Sequence, residues 1–280
     1  MDVFSPSERY LQDFHQRVPG ATSAAFAGLP AETRFRTYKS SYEVLAAAAL
    51  DCPAHGTILD VACGDGYLLG LLDAASIPSK LIGVDLSDGE LGVARRRLPR
   101  RILLLRELAQ RMSLAGGSID VVVSHMALML MDDIEAVLSE IHRVLIPDGR
   151  FAAIVGRTFL LGEANDIFLD IFRPIAKVDL RPMAMGDRRT RSIDGWTGLL
   201  DSNFHDLKME DVDVPWQPTL DELWGALIET YDIDRLSGAA RLKLREALVG
   251  ELSSMLDREG RLRTGWGLRL IEARATRLRE

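Results

Sequence analysis

Two glycines and a pair of acids dominate the chemistry this sequence can offer. The stretch Ile58 to Gly70 reads ILDVACGDGYLLG, and Asp60, Gly64 and Gly66 fall where an apolar run gives way to a helical pattern. Glycine at 64 and 66 removes Cβ atoms, permits positive φ and lets a ligand touch backbone. The free N–H groups at the start of the next helix can bind an anionic group. Asp85 closes the following apolar run, where an acid can accept hydrogen bonds from both hydroxyls of a ribose. His125 closes a later apolar run, VVVSH. It reads either as a base or orienting group or as a packed histidine hydrogen-bonded to backbone. Of the other four histidines, His142 reads as a surface residue of a helix, and His55 and His205 as loop residues. His15 belongs with Tyr10 and Phe14 to a leader that packs as an ordinary helix or folds over a ligand.

These residues need a frame. Residues 1–50 form a helical leader, ending in SYEVLAAAAL with Ser40 or Ser41 as its cap. From residue 57 the texture alternates. TILDVA, KLIGVDL, RILLL, SIDVVVSHM and RFAAIV read as strands. Between them Leu68, Leu71, Leu72 and Ala75, then Ile134, Val137, Leu138, Ile141, Val144 and Leu145, keep helical spacing, the second set capped by Asp132 or Asp133. Strands that are apolar throughout and alternate with helices predict a parallel sheet covered on both faces, the doubly wound α/β class. After Val155 the alternation stops, and 157–192 reads as loops and short helices. A helix over 193–204, a strand at 207–214, helices opening at the Thr219–Glu222 capping box and over 239–258, and a final strand at 267–275 complete the chain.

Two ligand classes suit a glycine turn after the first strand. A dinucleotide site wants G-x-G-x-x-G, and here the third glycine is replaced by Leu69. The stretch Asp60 to Gly66 instead reads D-x-A-x-G-x-G. It resembles the first motif of the class I S-adenosylmethionine-dependent methyltransferases, and GVDLS (Gly83 to Ser87), SIDVVVSHMALMLMDD and LSEIHRVLIPDGRF resemble later segments of that family over about 57–155. The resemblance implies a Rossmann-like sheet of seven strands, ordered 3-2-1-4-5-7-6 with the last antiparallel. It implies a domain over 51–280 whose insertions at about 157–192 and 218–262 form a substrate lid. It implies S-adenosyl-L-methionine as cofactor, held by Asp60, Ala62, Cys63, Gly64, Gly66, Asp85, Leu86, Leu108, Ala109 and Ser124, with Tyr42 at the methionine end and His125 as the catalytic group. Asp65 stands where the family often has Thr, with its side chain expected to point outward. The reaction implied is SN2 methyl transfer to an O, N or C nucleophile of a small organic molecule.

Composition is compatible with this. The chain has 280 residues, 47% apolar and 27% charged, and a net charge of −7. That balance disfavours nucleic acid, whose affinity rests on Lys and Arg. The basic run Arg95 to Arg101 ends at a helix terminus, where cations suit the dipole. Two cysteines, Cys52 and Cys63, give no disulfide framework and no zinc spacing. No apolar stretch reaches the length of a membrane span and no signal peptide is read, so the expectation is a cytoplasmic enzyme with no metal, its oligomeric state open and a homodimer among the choices. Three rivals remain: an NAD(P)-dependent oxidoreductase, a non-catalytic S-adenosylmethionine-binding protein, and a protein or tRNA methyltransferase, the RNA choice disfavoured by the net charge of −7. Methionines 126, 129, 131, 183 and 185 read as core filling or as the wall of an apolar pocket.

Overall fold

The computed structural model describes residues 4–50, 56–75 and 79–277. Cys52 and His55 lie outside them. The chain opens with helices α1 (Pro6–Arg17) and α2 (Ala21–Phe26), a hairpin of β1 (Ala31–Glu32) and β2 (Thr37–Tyr38), and helix α3 (Ser41–Ala49). Then come β3 (Thr57–Val61), α4 (Tyr67–Ala74), β4 (Lys80–Asp85), α5 (Asp88–Arg97), β5 (Leu103–Arg106), β6 (Ile119–His125), α6 (Ile134–Val144) and β7 (Leu145–Thr158). The remainder is α7 (Glu163–Asp179), α8 (Ile193–Leu200), β8 (Phe204–Trp216), α9 (Leu220–Leu227), α10 (Tyr231–Asp234), α11 (Gly238–Leu252) and β9 (Thr264–Ala275).

One Rossmann-like mixed sheet runs β2-β1-β8-β9-β7-β6-β3-β4-β5. It has nine strands, where seven were expected. The seven stand in the anticipated order, with β9 antiparallel to both neighbours. The two extra strands belong to the leader, which is therefore not wholly helical: Glu32 pairs with Asp213 and extends the sheet past β8. Strands of two residues are too short to show alternation.

The period of two along each strand divides the core. Ile58, Val121, Val123, Ala152 and Ile154 face one apolar layer with α3, α4 and α5. Leu59, Val61, Val122, Phe151 and Ala153 face the other, against α6 and α8. The segment 157–192 holds a helix of 17 residues, α7, with Pro174 inside it. Helices α7, α9, α10 and α11 bury Phe168, Leu223, Ile233 and Leu244 in the first layer, so the two insertions form one helical cap on that face.

The leader crosses the carboxyl ends of the strands. Ser5 caps α1 in a capping box with Glu8. The Ser5 and Ser7 hydroxyls both donate to Asp132, and Gln110 donates to Glu8 at 3.0 Å. At its other end Tyr10 donates to Asp234 at 2.9 Å and Arg17 pairs with the same carboxylate. Helix α1 thus links the core to the cap. It passes so close to α5 that a Cβ on Gly89 would lie 2.8 Å from the His15 carbonyl oxygen and 2.9 Å from Gln16 Cα. Gly89→Val should therefore lift α1, because neither contact is a flexible side-chain end. The expected result is faster amide exchange across residues 6–17 with β3, β4 and β6 still protected, and a loss of roughly 1–3 kcal/mol of stability. Unchanged protection of α1 would contradict the packing described.

Candidate functional site

The carboxyl ends of β3, β4 and β6 open into a cavity roofed by α1. After β3 the backbone turns at Ala62 (φ 58°), Gly64 (φ 53°) and Gly66 (φ 77°). Asp85 fixes this turn. Its Oδ2 accepts from the Gly64 N–H and its Oδ1 from the Ser87 N–H, each at 2.8 Å. One carboxylate therefore joins the loop after β3 to the start of α5. Burial raises the Asp85 pKa, and the two backbone donors oppose that rise. Asp60 lies beneath it. Burial pushes its carboxyl well above the usual range, and the neighbouring Asp85 and Asp65 push it further.

Of the anticipated residues, Tyr42, Asp60, Ala62, Cys63, Gly64, Asp85, Leu86, Leu108, Ala109 and His125 line this cavity. Gly66 and Ser124 do not. A Cβ on Gly66 would sit 2.6 Å from Leu98 Cδ1 and 3.1 Å from Ala94 Cβ, so this glycine serves the packing of α4 on α5. Ser124 is fully buried and spends its hydroxyl on the Val61 carbonyl at 2.8 Å.

Other expectations need correction. Asp65 does not point outward. It is 5% exposed, accepts from Ser23 Oγ and from Arg97 Nη1 at 2.6 Å each, and so ties α2 to α5. His142 is buried, with Nε2 3.0 Å from the Thr276 carbonyl oxygen. His205 is in β8 and pairs with Asp148 rather than lying in a loop. The basic run is spent on structure too, Arg97 on Asp65 and Arg101 on Asp73.

Glu90 and His15 carry roles beyond those anticipated. Glu90 is buried on α5, accepts from the Gly20 N–H at 2.9 Å and lies 2.7 Å from His15 Nδ1. His15 Nε2 is 3.0 Å from the Tyr231 hydroxyl, so the chain of contacts runs from core to leader to cap. The signal in sequence was Ser87-x-x-Glu90. That spacing suits a capping box, yet Asp85 already satisfies the Ser87 N–H and leaves the Glu90 carboxylate to the leader.

His125 stacks on Tyr42 with centroids 3.7 Å apart, and Phe26 meets its edge. Its Nε2 lies 2.9 Å from Ser41 Oγ, and its Nδ1 is buried without a hydrogen-bond partner. Ser41 is wholly buried, and its hydroxyl has no second partner among the described residues. The arrangement with fewest unmet groups has Ser41 donating to Nε2 and the imidazole proton on Nδ1. Burial pulls the pKa down to about 3. A base that weak does not suit proton abstraction near neutral pH.

The cavity wall carries six carboxylates, Glu8, Asp60, Asp65, Asp85, Glu90 and Glu107, and no Lys or Arg. That wall attracts a cation and repels phosphate. A second cavity of about 1160 Å³ adjoins it between the sheet and the cap, and Thr22, Met126, Leu130 and Tyr231 line both. Among the described residues no cluster of His, Cys, Asp and Glu is placed to hold a metal ion, and no helix is long and apolar enough to cross a membrane.

Residues 59–153 match the family described as methyltransferase domain. That segment is similar to the domain the family describes. The demethylmenaquinone methyltransferase of Symbiobacterium thermophilum is 44% identical over 104 residues, which cover 35% of this chain and 41% of that protein. The malonyl-[acyl-carrier protein] O-methyltransferase of Laribacter hongkongensis is 36% identical over 115 residues, 37% of this chain and 39% of its own length. The chain thus matches about two fifths of these curated relatives. A putative type II methyltransferase from Anaeromyxobacter dehalogenans shares the fold, with a TM-score of 0.60 at 20% identity over 83% of this chain and 95% of that one.

Burial keeps His125 neutral, which has a consequence for stability. Its pKa lies below that of an unfolded imidazole, about 6.5. As pH falls from about 7 toward 4, the unfolded chain takes up a proton at this position and the folded chain does not. Wild type should therefore lose stability relative to His125→Gln over that range, read from urea unfolding at successive pH values. Parallel curves for the two proteins would contradict the buried, neutral imidazole.

Proposed function

We propose that the chain is an S-adenosylmethionine-dependent methyltransferase acting on a small organic molecule. The observation that carries this is the acidic cavity beside the glycine turn: six carboxylates in the lining, of which only Asp65 is paired with an arginine, and no Lys or Arg in the lining itself. The cofactor is a sulfonium cation that also bears an ammonium group, and it suits such a wall. A dinucleotide would bring a pyrophosphate dianion against the same carboxylates, which speaks against the oxidoreductase reading. The two curated relatives act, by their names, on demethylmenaquinone and on malonyl-[acyl-carrier protein], so they favour methyl transfer without indicating one acceptor.

In this reading Asp85 accepts from the ribose hydroxyls with the lone pairs that Gly64 and Ser87 leave free. Asp60 faces the cationic methionine end, together with Tyr42. Gly64 keeps the turn bare, since a Cβ there would point toward Glu90 at 3.8 Å. Leu86, Leu108 and Ala109 supply the apolar slot for a base. Gly66 and Ser124 act from behind, by packing and by holding the Val61 carbonyl. The bound cofactor supplies an electrophilic methyl group. The chain's own task is alignment and the exclusion of water, and α1 provides the roof. His125 serves as a packed group at the cavity wall that positions Tyr42 and Ser41, not as a base. The enzyme is read as cytoplasmic, since Cys63 is a free buried thiol. Residues 51–280 are read as the catalytic domain and 1–50 as its N-terminal cover.

Calorimetry tests this. S-adenosylmethionine should bind and NADH should not. Asp85→Ala should weaken S-adenosylmethionine by roughly 10–100-fold, the worth of a charge-assisted hydrogen bond. NADH binding with an S-adenosylmethionine affinity indifferent to Asp85 would overturn the proposal.

A further inference from the structure

The second cavity carries information about the acceptor. Its volume of about 1160 Å³ is at the upper end for a small-molecule site, roughly 300–1000 Å³. Aromatic rings form its walls. Phe159, Phe168 and Phe172 stack in series at 4.7 and 5.3 Å, and Trp216 stacks on Trp266 at 6.2 Å. Both groups line the cavity, one from α7 and the segment before it, the other from β8 and β9. The charged side chains of the lining are differently placed. Arg173, Arg191, Glu222, Glu229 and Asp232 are all exposed, which puts them at the rim. Arg157 lies deeper, and its charge is met by Asp213 at 2.5 Å and by Asp211. The interior is therefore mainly apolar and flat-walled, with the unpaired charge at the mouth.

Where this cavity meets the acidic one, side-chain bulk is missing at one position. Gly156 lies near the carboxyl end of β7, and a Cβ there would touch Met129 Cε at 3.8 Å and Met126 Cε at 3.9 Å. Met126 and Leu130 line both cavities, so Gly156 borders the neck between them. Its φ does not lie in the left-handed region, and the turn chemistry that requires glycine elsewhere is absent. What the glycine provides here is space. At the exposed mouth Gly225 of α9 is also bare, and a Cβ there would meet nothing within 4 Å.

We propose that this cavity binds a large, mainly apolar acceptor with a flat body of several fused or linked rings, and that Gly156 sets the acceptor's size at the neck. A single-ring acceptor would leave most of the aromatic wall uncovered. A multi-ring one buries its faces against Phe168, Phe172 and Trp266 and presents its nucleophile between Met126 and Leu130. This rests on the methyltransferase reading, because that reading puts the reactive methyl on the acidic side of the neck. The adaptable thioethers of Met126, Met129 and Met185 suit a shaped apolar ligand.

Calorimetry in saturating S-adenosylhomocysteine, with catechol, 1-naphthol and quercetin as one-, two- and three-ring phenols, separates the two layers of the argument. S-adenosylhomocysteine is titrated first into wild type, Gly156→Phe and Gly225→Phe. If it fails to bind wild type, the methyltransferase reading falls and this inference falls with it. If it binds, the proposal expects affinity to rise at least tenfold from catechol to quercetin in wild type. It expects that gain to be lost in Gly156→Phe, with S-adenosylhomocysteine affinity unchanged. Gly225→Phe provides a second blocking variant with no protein atom in its way, so an unfolded Gly156→Phe still leaves a decisive measurement. Equal affinity for the three phenols, or a ring-count gain that survives the folded blocking variants, overturns the proposal while leaving cofactor binding intact.

Discussion

The geometry of the site depends on one carboxylate held between two backbone N–H groups. Asp85 stands at the end of β4 and takes the Gly64 and Ser87 amides, so the turn after β3 and the first turn of α5 cannot move independently. A buried carboxylate is costly, and these two donors offset part of that cost. They do not remove it. Asp60 stands nearby with its own proton affinity raised by the same burial and by the charge of Asp85. Arg97 meets Asp65 and His15 lies against Glu90, while among the described residues no Lys or Arg is paired with Asp60 or Asp85. A bound cation would offset their charge.

The leader and the cap follow from that arrangement. Because Asp85 satisfies Ser87, Glu90 is free to hold Gly20 and His15, and His15 in turn meets Tyr231 of α10. Asp65 fastens Ser23 of α2 to the same side of the core. A roof made from the N-terminal helix is therefore anchored by residues of the first two strand-to-helix turns. Beyond the roof, the cap helices belong to the same apolar layer as α3, α4 and α5. They border a ring-lined, mainly apolar space next to the charged one. Charge and apolar surface are separated by the short neck at Met126 and Leu130, an arrangement suited to holding a cationic donor apart from an apolar acceptor until they meet.

Much of the sheet was legible because each central strand is apolar throughout and each helix between strands keeps its period. The glycine turn and Asp85 were legible as chemistry, since a bare turn and an acid at consecutive strand ends have few other uses. Helix α7 was obscured by Pro174, although Ala164, Phe168, Ile171, Phe172 and Ile175 keep a helical spacing around it. The hairpin of β1 and β2 was invisible because two-residue strands carry no pattern. Asp65 and His142, misjudged, and Glu90, not singled out at all, share one cause: they are polar residues whose burial is decided by distant partners, Ser23, Thr276 and Gly20. Gly66 and Ser124 lie in the motif, yet one serves Leu98 and the other Val61. Local sequence does not distinguish a glycine that faces a ligand from one that faces a leucine. His125 was located correctly at the strand end, and its Ser41 and Tyr42 neighbours, which hold it neutral, come from a helix more than eighty residues away in sequence.

The central claim is that the acidic cavity is a cation site. It is tested most directly by the protons exchanged when a ligand binds. Burial makes Asp60 and Asp85 hold a proton more readily than free carboxyls, and a cation beside them drives it off. Calorimetry of S-adenosylmethionine binding in buffers of different ionisation enthalpy measures that release. The account predicts net proton release with S-adenosylmethionine, and a smaller release with S-adenosylhomocysteine, whose sulfur is uncharged. Equal release for the two ligands, or proton uptake with the sulfonium, would contradict it.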